Sequence, residues 1–284
     1  MHSLFQLSLV ASLLSGAIAA IPSVPGYKIQ WSDDFNQGSA GEEADRSQWN
    51  YESNFYGHNN NELQIYESSA AYAGLTTDGA LSIMTRKSTA GDWYSARIAT
   101  WPTFTCKKGG KMYIEAEIQV GQAPKENQQG IWPAFWALGS AIYKGQPWPK
   151  CGEWDIMELI NGEDHNVATI HYGVDGNHKA KPDGDHSIQF DRSKFNKWGL
   201  QISRENGDWT QQTIKWYLNG NEYQTIKGSD VGNFADWESL AHSPYYLVLN
   251  IAVGGDYPGK PNDKTLSGHP TAMLVNYVAV YESI

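Results

Sequence analysis

The sequence predicts an all-β protein in which two antiparallel sheets stack face to face. Three observations lead there. Charged residues make up only 18% of the 284 residues and aromatics 13%, with 28 glycines and 12 prolines breaking the chain into short segments. That composition suits one large β-rich domain and is foreign to disorder or coiled coil. Several segments alternate apolar and polar residues in the two-residue rhythm of half-buried strands, whereas helical periodicity is confined to a short turn at residues 230–240.

The elements follow in chain order. Residues 4–20 form an apolar run containing the small-x-small triplet Ala17-Ile18-Ala19, with Pro22 and Pro25 soon after. The run is short for a membrane span, and it reads as a cleaved secretory signal over residues 1–19. One domain then occupies residues 20–284, without a linker or repeat, and the expected location is extracellular, with no membrane contact after processing. Residues 111–118 alternate as a strand. Residues 213–218 and 221–226 flank Asn219-Gly220, the dipeptide that a tight hairpin favours because both turn positions need positive φ. Residues 245–253 are almost continuously apolar and end in Gly254-Gly255, as a buried central strand would. Residues 273–281 form a last strand that pins the C-terminus into a sheet.

Charge and cysteines narrow the partners. A formal net charge of −10 repels a nucleic-acid backbone, and no Lys/Arg cluster offsets it. Two cysteines in a secreted chain, Cys106 and Cys151, are expected to pair as a disulfide. A monomer is expected.

The chemistry-bearing segment is Glu153-Trp154-Asp155-Ile156-Met157-Glu158, three carboxylates among apolar residues. In a regular strand Glu153 and Asp155 share a face, with Trp154 and Ile156 on the core side, and Glu158 falls on the wrong side. One extra residue at a β-bulge near Ile156-Met157 returns Glu158 to the face of the other two. Two carboxyl groups about 5–5.5 Å apart are what a retaining glycosidase uses, one attacking the anomeric carbon and the other protonating the leaving oxygen. Crowding of like charges raises a pKa and keeps one acid protonated. A calcium site and a solvated acidic strand are the alternatives on these residues alone.

The same residues carry a resemblance. Glu153-Trp154-Asp155-Ile156-Met157-Glu158 resembles the bulged E-x-D-x-x-E signature of the laminarinase-like branch of glycoside hydrolase family 16. Trp31-Ser32-Asp33-Asp34-Phe35, Asn60-Asn61-Glu62-Leu63-Gln64-Ile65-Tyr66, Tyr94-Ser95-Ala96-Arg97-Ile98 and Gly130-Ile131-Trp132-Pro133-Ala134-Phe135-Trp136 resemble further motifs of that family, in order. Ile170-His171-Tyr172-Gly173, residues 249–255 and residues 275–281 complete the series. The resemblance implies a concanavalin A-like jelly roll with a substrate groove across its concave sheet. It implies Glu153 as nucleophile, Glu158 as acid/base and Asp155 as the residue that tunes them.

The activity implied is a retaining endo-acting glucanase cutting β-1,3 or mixed β-1,3/1,4 glucan. A cell-wall transglycosylase, a β-1,3-galactanase and a non-catalytic lectin-like protein on the same fold are the alternatives. Trp132 and Trp136, four apart, share a strand face and could stack on sugars or pack in the core. Arg97 and Asn61 are candidates for sugar hydroxyls, or else for a loop ion pair and a turn. His171 is a candidate to bind a hydroxyl or orient Glu158, or else a core histidine. Trp93, Trp101 and Trp148 lie near loops that could extend the groove. No cofactor is required. A structural calcium is in doubt because Asn276 stands where many relatives carry Asp.

Overall fold

In a computed structural model that describes residues 21–53, 59–183 and 186–284, antiparallel strands build two large sheets and helices are limited to short turns. The expected signal, residues 1–19, lies outside the described residues. No helix among the described residues is long and apolar enough to cross a membrane.

One sheet has seven strands in the order Lys179–Lys181, Thr169–Tyr172, Glu153–Glu158, Ile131–Gly139, Tyr245–Val253, Arg97–Thr100 and Trp49–Glu52. The other has eight: Asn221–Lys227, Thr213–Leu218, Asn196–Ser203, Lys111–Gln119, Met273–Ser283, Leu81–Ile83 and Ala73–Leu75, with Tyr27–Asp33 also paired to Met273–Ser283. The arrangement is a jelly roll, the fold class expected. Non-consecutive neighbours in both sheets show that the chain crosses between layers repeatedly.

Side-chain alternation assigns the faces. Met112, Ile114, Ala116 and Ile118 of one sheet meet Phe135, Ala137, Trp154, Leu247, Leu249 and Ile251 of the other in one buried cluster. Burial of apolar surface at roughly 25 cal/mol per Å² makes this inter-sheet layer the main source of stability. The residues between them, Trp132, Trp136, Asn250 and Arg97, point away from the core onto the outer face of the seven-stranded sheet.

The local elements obey their sequence signals. Asn219 and Gly220 take φ of 51° and 79°, so both turn residues sit in the left-handed region that the hairpin requires. Tyr245–Val253 is buried along its whole length, and Met273–Ser283 pairs with Lys111–Gln119, Leu81–Ile83 and Tyr27–Asp33 in the second sheet. The predicted turn at 230–240 appears as three short helical segments, Gly228–Val231, Phe234–Trp237 and Glu238–His242.

The expected disulfide does not form: Cys106 and Cys151 are both free and buried. Cys106 belongs to the inter-sheet core, where its Sγ lies 3.4 Å from the Ile202 carbonyl oxygen. Cys151 packs with Ala99, Leu138, Tyr246 and Val248 in a separate cluster beside the groove. The two thiols therefore occupy separate layers. Burial pushes both thiols up to about 11, so neither is a reactive thiolate at neutral pH.

Candidate active site

The acidic strand contains the bulge that its spacing demands. Against Ile131–Gly139, Glu153 pairs with Leu138, Trp154 with Ala137 and Asp155 with Trp136, but Met157 pairs with Phe135 and Glu158 with Ala134. Ile156 is thus the extra residue. It and Met157 both enter the core, at 1% and 0% exposure, and the step in register turns Glu158 back to the face of Glu153 and Asp155. Gly152 just before the strand has φ of 80°, and a Cβ there would fall 2.0 Å from the Tyr245 hydroxyl, so the strand can start here only on a glycine.

These three carboxylates line a groove of about 780 Å³ together with Trp132, Trp136, Arg97 and Asn250. The indole N–H of Trp132 donates to Glu158 Oε1 at 3.1 Å. That of Trp136 donates to Asn250 Oδ1 at 2.7 Å, while the Asn250 amide donates to the Tyr66 hydroxyl. Arg97 Nε sits 2.5 Å from Glu52 Oε2, and its guanidinium lies 4.7 Å from the centre of the Trp136 ring. A cation over an aromatic face and a partly buried ion pair together fix this end of the wall.

His171 is the strand partner of Glu153. Its Nε2 stands 3.2 Å from Asp155 Oδ2 and 4.0 Å from Glu153 Oε1, and its Nδ1 lies 2.8 Å from His178 Nε2. The His178 ring in turn packs 4.7 Å from Trp148.

Burial dominates the electrostatics. Glu153, Asp155 and Glu158 are all pushed up, to about 8, about 7 and about 8, from ordinary values of 4.5, 3.8 and 4.5. Loss of water is the first cause in each; for the two glutamates the charge of Asp155 adds, while His171 opposes it. The three titrate as a group rather than as separate acids. Such a site holds at least one proton at neutral pH while a neighbouring carboxylate can ionise.

Glu153, Asp155 and His171 bring one ligand-type atom each within 4.8 Å of one another, as do Glu163, Asp164 and His165 at the surface. The first approach is what the carboxylate chemistry itself needs, and we assign neither group to a metal. The Asn276 amide donates to Glu117 Oε2 at 2.8 Å, so it turns hydrogens rather than an oxygen ligand toward that carboxylate.

Trp132, Trp136, Arg97 and Trp148 line the groove, and His171 reaches its carboxylates. Asn61 does not line it: its amide is spent on Asp256, at 2.9 Å from Oδ1, and Asn60 and Glu62 line the groove instead. Positive φ at both Asn60 and Asn61 turns the chain so that Asn60 faces the groove and Asn61 faces Asp256. Trp93 is a core residue, and Trp101 is exposed with its indole on the Arg46 carbonyl. Residues not singled out from sequence are Glu52, Asn250, His178 and Tyr143. Asn250 was detectable as the lone polar residue within an apolar strand; an isolated Glu52 or a loop Tyr143 carries no such signal.

A jelly-roll sheet that sets two glutamates and an aspartate in a groove lined by indoles has the arrangement of a glycoside hydrolase. Residues 94–229 match the family model described as the XgeA-like, catalytic GH16 domain. The chain is 30% identical over 260 residues to a glucan endo-1,3-beta-glucosidase of Cryptopygus antarcticus, covering 85% of this chain and 86% of that protein. The chain belongs to glycoside hydrolase family 16.

Its structure is similar to the endo-1,3-beta-glucanase of Streptomyces sioyaensis, with a TM-score of 0.82 at 28% identity over 93% of this chain and 99% of that one. It is also similar, at a TM-score of 0.68 and 27% identity over 92% of this chain and 96% of that one, to a non-specific endo-beta-1,3(4)-glucanase of family GH16. That glucanase was co-crystallised with 1,3-beta-D-cellotriosyl-glucose and presents 1,3-beta-D-cellobiosyl-glucose at its active site. Of three other curated relatives the chain spans only 34%, 39% and 55% of the length.

Proposed function

We propose that the protein is a secreted, endo-acting glucanase that cleaves β-1,3 or mixed β-1,3/1,4 glucan with retention of configuration. The observation that carries this is the bulged acidic strand. It sets Glu153, Asp155 and Glu158 on one face at the floor of an open groove, alongside Trp132 and Trp136 of the neighbouring strand. An open groove admits the interior of a polymer, and indole faces suit the apolar faces of glucose rings.

In the reaction, the Glu153 carboxylate attacks the anomeric carbon as the Glu158 carboxyl gives its proton to the departing glycosidic oxygen. Glu158, now ionised, takes a proton from the water that attacks the glycosyl-enzyme ester, and Glu153 is released. Asp155 lies between them on the strand and carries the contact to His171. As the covalent bond consumes the Glu153 charge, repulsion inside the trio falls, which favours the ionisation of Glu158 that the second step needs.

No cofactor enters the reaction as proposed. Transfer to a sugar acceptor in place of water would make the enzyme a transglycosylase, and a galactan backbone would make it a galactanase. The test is incubation with laminarin, lichenan and β-1,3-galactan, following product linkage and the anomer first formed by proton NMR. Glucan cleavage with initial β-anomer supports the proposal. Cleavage of galactan alone, or initial α-anomer, contradicts it.

A further inference from the structure

The step in register that brings Glu158 into the groove leaves backbone groups without a strand partner. The ladder between the acidic strand and Thr169–Tyr172 covers only residues 153–155, as Glu153–His171, Trp154–Ile170 and Asp155–Thr169. Beyond it, at the bulge, the Ile156 carbonyl and the Glu158 N–H face a side chain. The Asn166 carbonyl oxygen accepts from Glu158 N–H at 2.7 Å, and its amide donates to the Ile156 carbonyl at 3.1 Å. The same amide donates to the Tyr223 hydroxyl at 3.0 Å, which ties the clamp to the other sheet. Asn166 is fully buried, at 0% exposure. Its amide thus stands in for a missing strand, one oxygen and two N–H groups, each with a partner.

We propose that Asn166 is a positioning residue for Glu158: its side chain clamps both ends of the bulge and so sets where the proton donor's carboxyl lies. The inference rests on the role given to Glu158 above. A side chain that merely filled space would need no amide, whereas apolar replacement here strands a buried N–H and a buried C=O. Tyr223 acts one step further out, by fixing the amide's orientation. The carboxyl of Glu158 has its own anchor in Trp132, so loss of the clamp displaces the backbone under it rather than the whole site.

The experiment compares laminarin, whose leaving group needs protonation, with dinitrophenyl β-laminaribioside, whose leaving group does not. Wild type, Glu158→Gln, Asn166→Ala and Tyr223→Phe are assayed on both, with circular dichroism and Tm to verify folding. Displacement of a catalytic group by an ångström can cost on the order of 10²-fold. Asn166→Ala is expected to approach that loss in kcat on laminarin and to lose only several-fold on the aryl substrate. Tyr223→Phe should show the same bias, smaller. If Glu158→Gln shows the bias and a folded Asn166→Ala loses equally on both substrates, the inference is overturned. Should Asn166→Ala fail to fold, the ratio for Tyr223→Phe decides in the same way. If Glu158→Gln itself shows no bias, the proton-donor role is what fails.

Discussion

Glu158 is held by two unlike contacts: an indole N–H on its side chain and an asparagine amide on its backbone. Because a hydrogen bond donated to a carboxylate favours its ionised form, Trp132 holds the Glu158 carboxyl below where burial alone would put it. Trp132→Phe should therefore raise that group and move the basic limb of kcat/KM to higher pH. A pH–rate profile checks this; a limb that stays put removes the contact from the titration. Glu153→Gln should keep the fold and glucan binding while lowering turnover by several orders of magnitude, and unaltered turnover would dismiss Glu153 as the attacking group. At this scale the three acids were legible because their spacing is unusual among apolar residues. Asn61 was misplaced, since two consecutive left-handed asparagines reverse which of them faces the groove. Nothing in a single sequence marks His178, a loop residue whose meaning comes from His171, seven residues away on the strand Thr169–Tyr172.

At the scale of elements, the bulge is the feature that sequence alone could demand, because a period of two cannot carry Glu153, Asp155 and Glu158 on one face. Its clamp was not legible, since Asn166 belongs to a short strand with no pattern of its own. The Asn219-Gly220 hairpin lies in the eight-stranded sheet, away from the groove, and nothing crowds a Cβ at residue 220. Gly220→Ala should cost roughly 1–2 kcal/mol from its φ of 79° alone, with kcat/KM unchanged. Chemical denaturation and a rate assay on the same sample test both halves. The cysteine pairing failed at this scale too. Counting thiols says nothing about which side of a sheet each one takes, and Cys106 and Cys151 take different layers.

For the whole molecule, the site is a stability cost carried by the rest of the fold. All three acids are pushed above their unfolded values, so between about pH 4 and pH 8 the native state binds more protons than the unfolded state. With more protons on the native side, unfolding free energy falls as pH rises through that window. The contribution is fully present below the unfolded pKa and is lost as pH passes the folded one. Glu153→Gln should thus raise Tm relative to wild type at pH 8 and change it little at pH 4, which a calorimetric series would show; an equal shift at both pH values contradicts the assignment to charge. Without a bridge, both cysteines should react with a thiol reagent once the chain is denatured without reductant, and reductant should leave Tm unaltered. The architecture at this scale, two sheets with Tyr245–Val253 and Met273–Ser283 among their interior strands, followed from alternation and apolar runs. The order of strands did not, because pairing partners lie far apart in the chain.

The division of labour along the acidic strand is open to direct capture. An activated 2-deoxy-2-fluoro-laminaribioside slows hydrolysis of the glycosyl-enzyme enough for peptide mass spectrometry to locate the sugar. The label is expected on the Glu153 carboxyl, in the peptide that also carries Asp155 and Glu158. A label on Glu158, or turnover that never traps an ester, would contradict the roles assigned to the three acids.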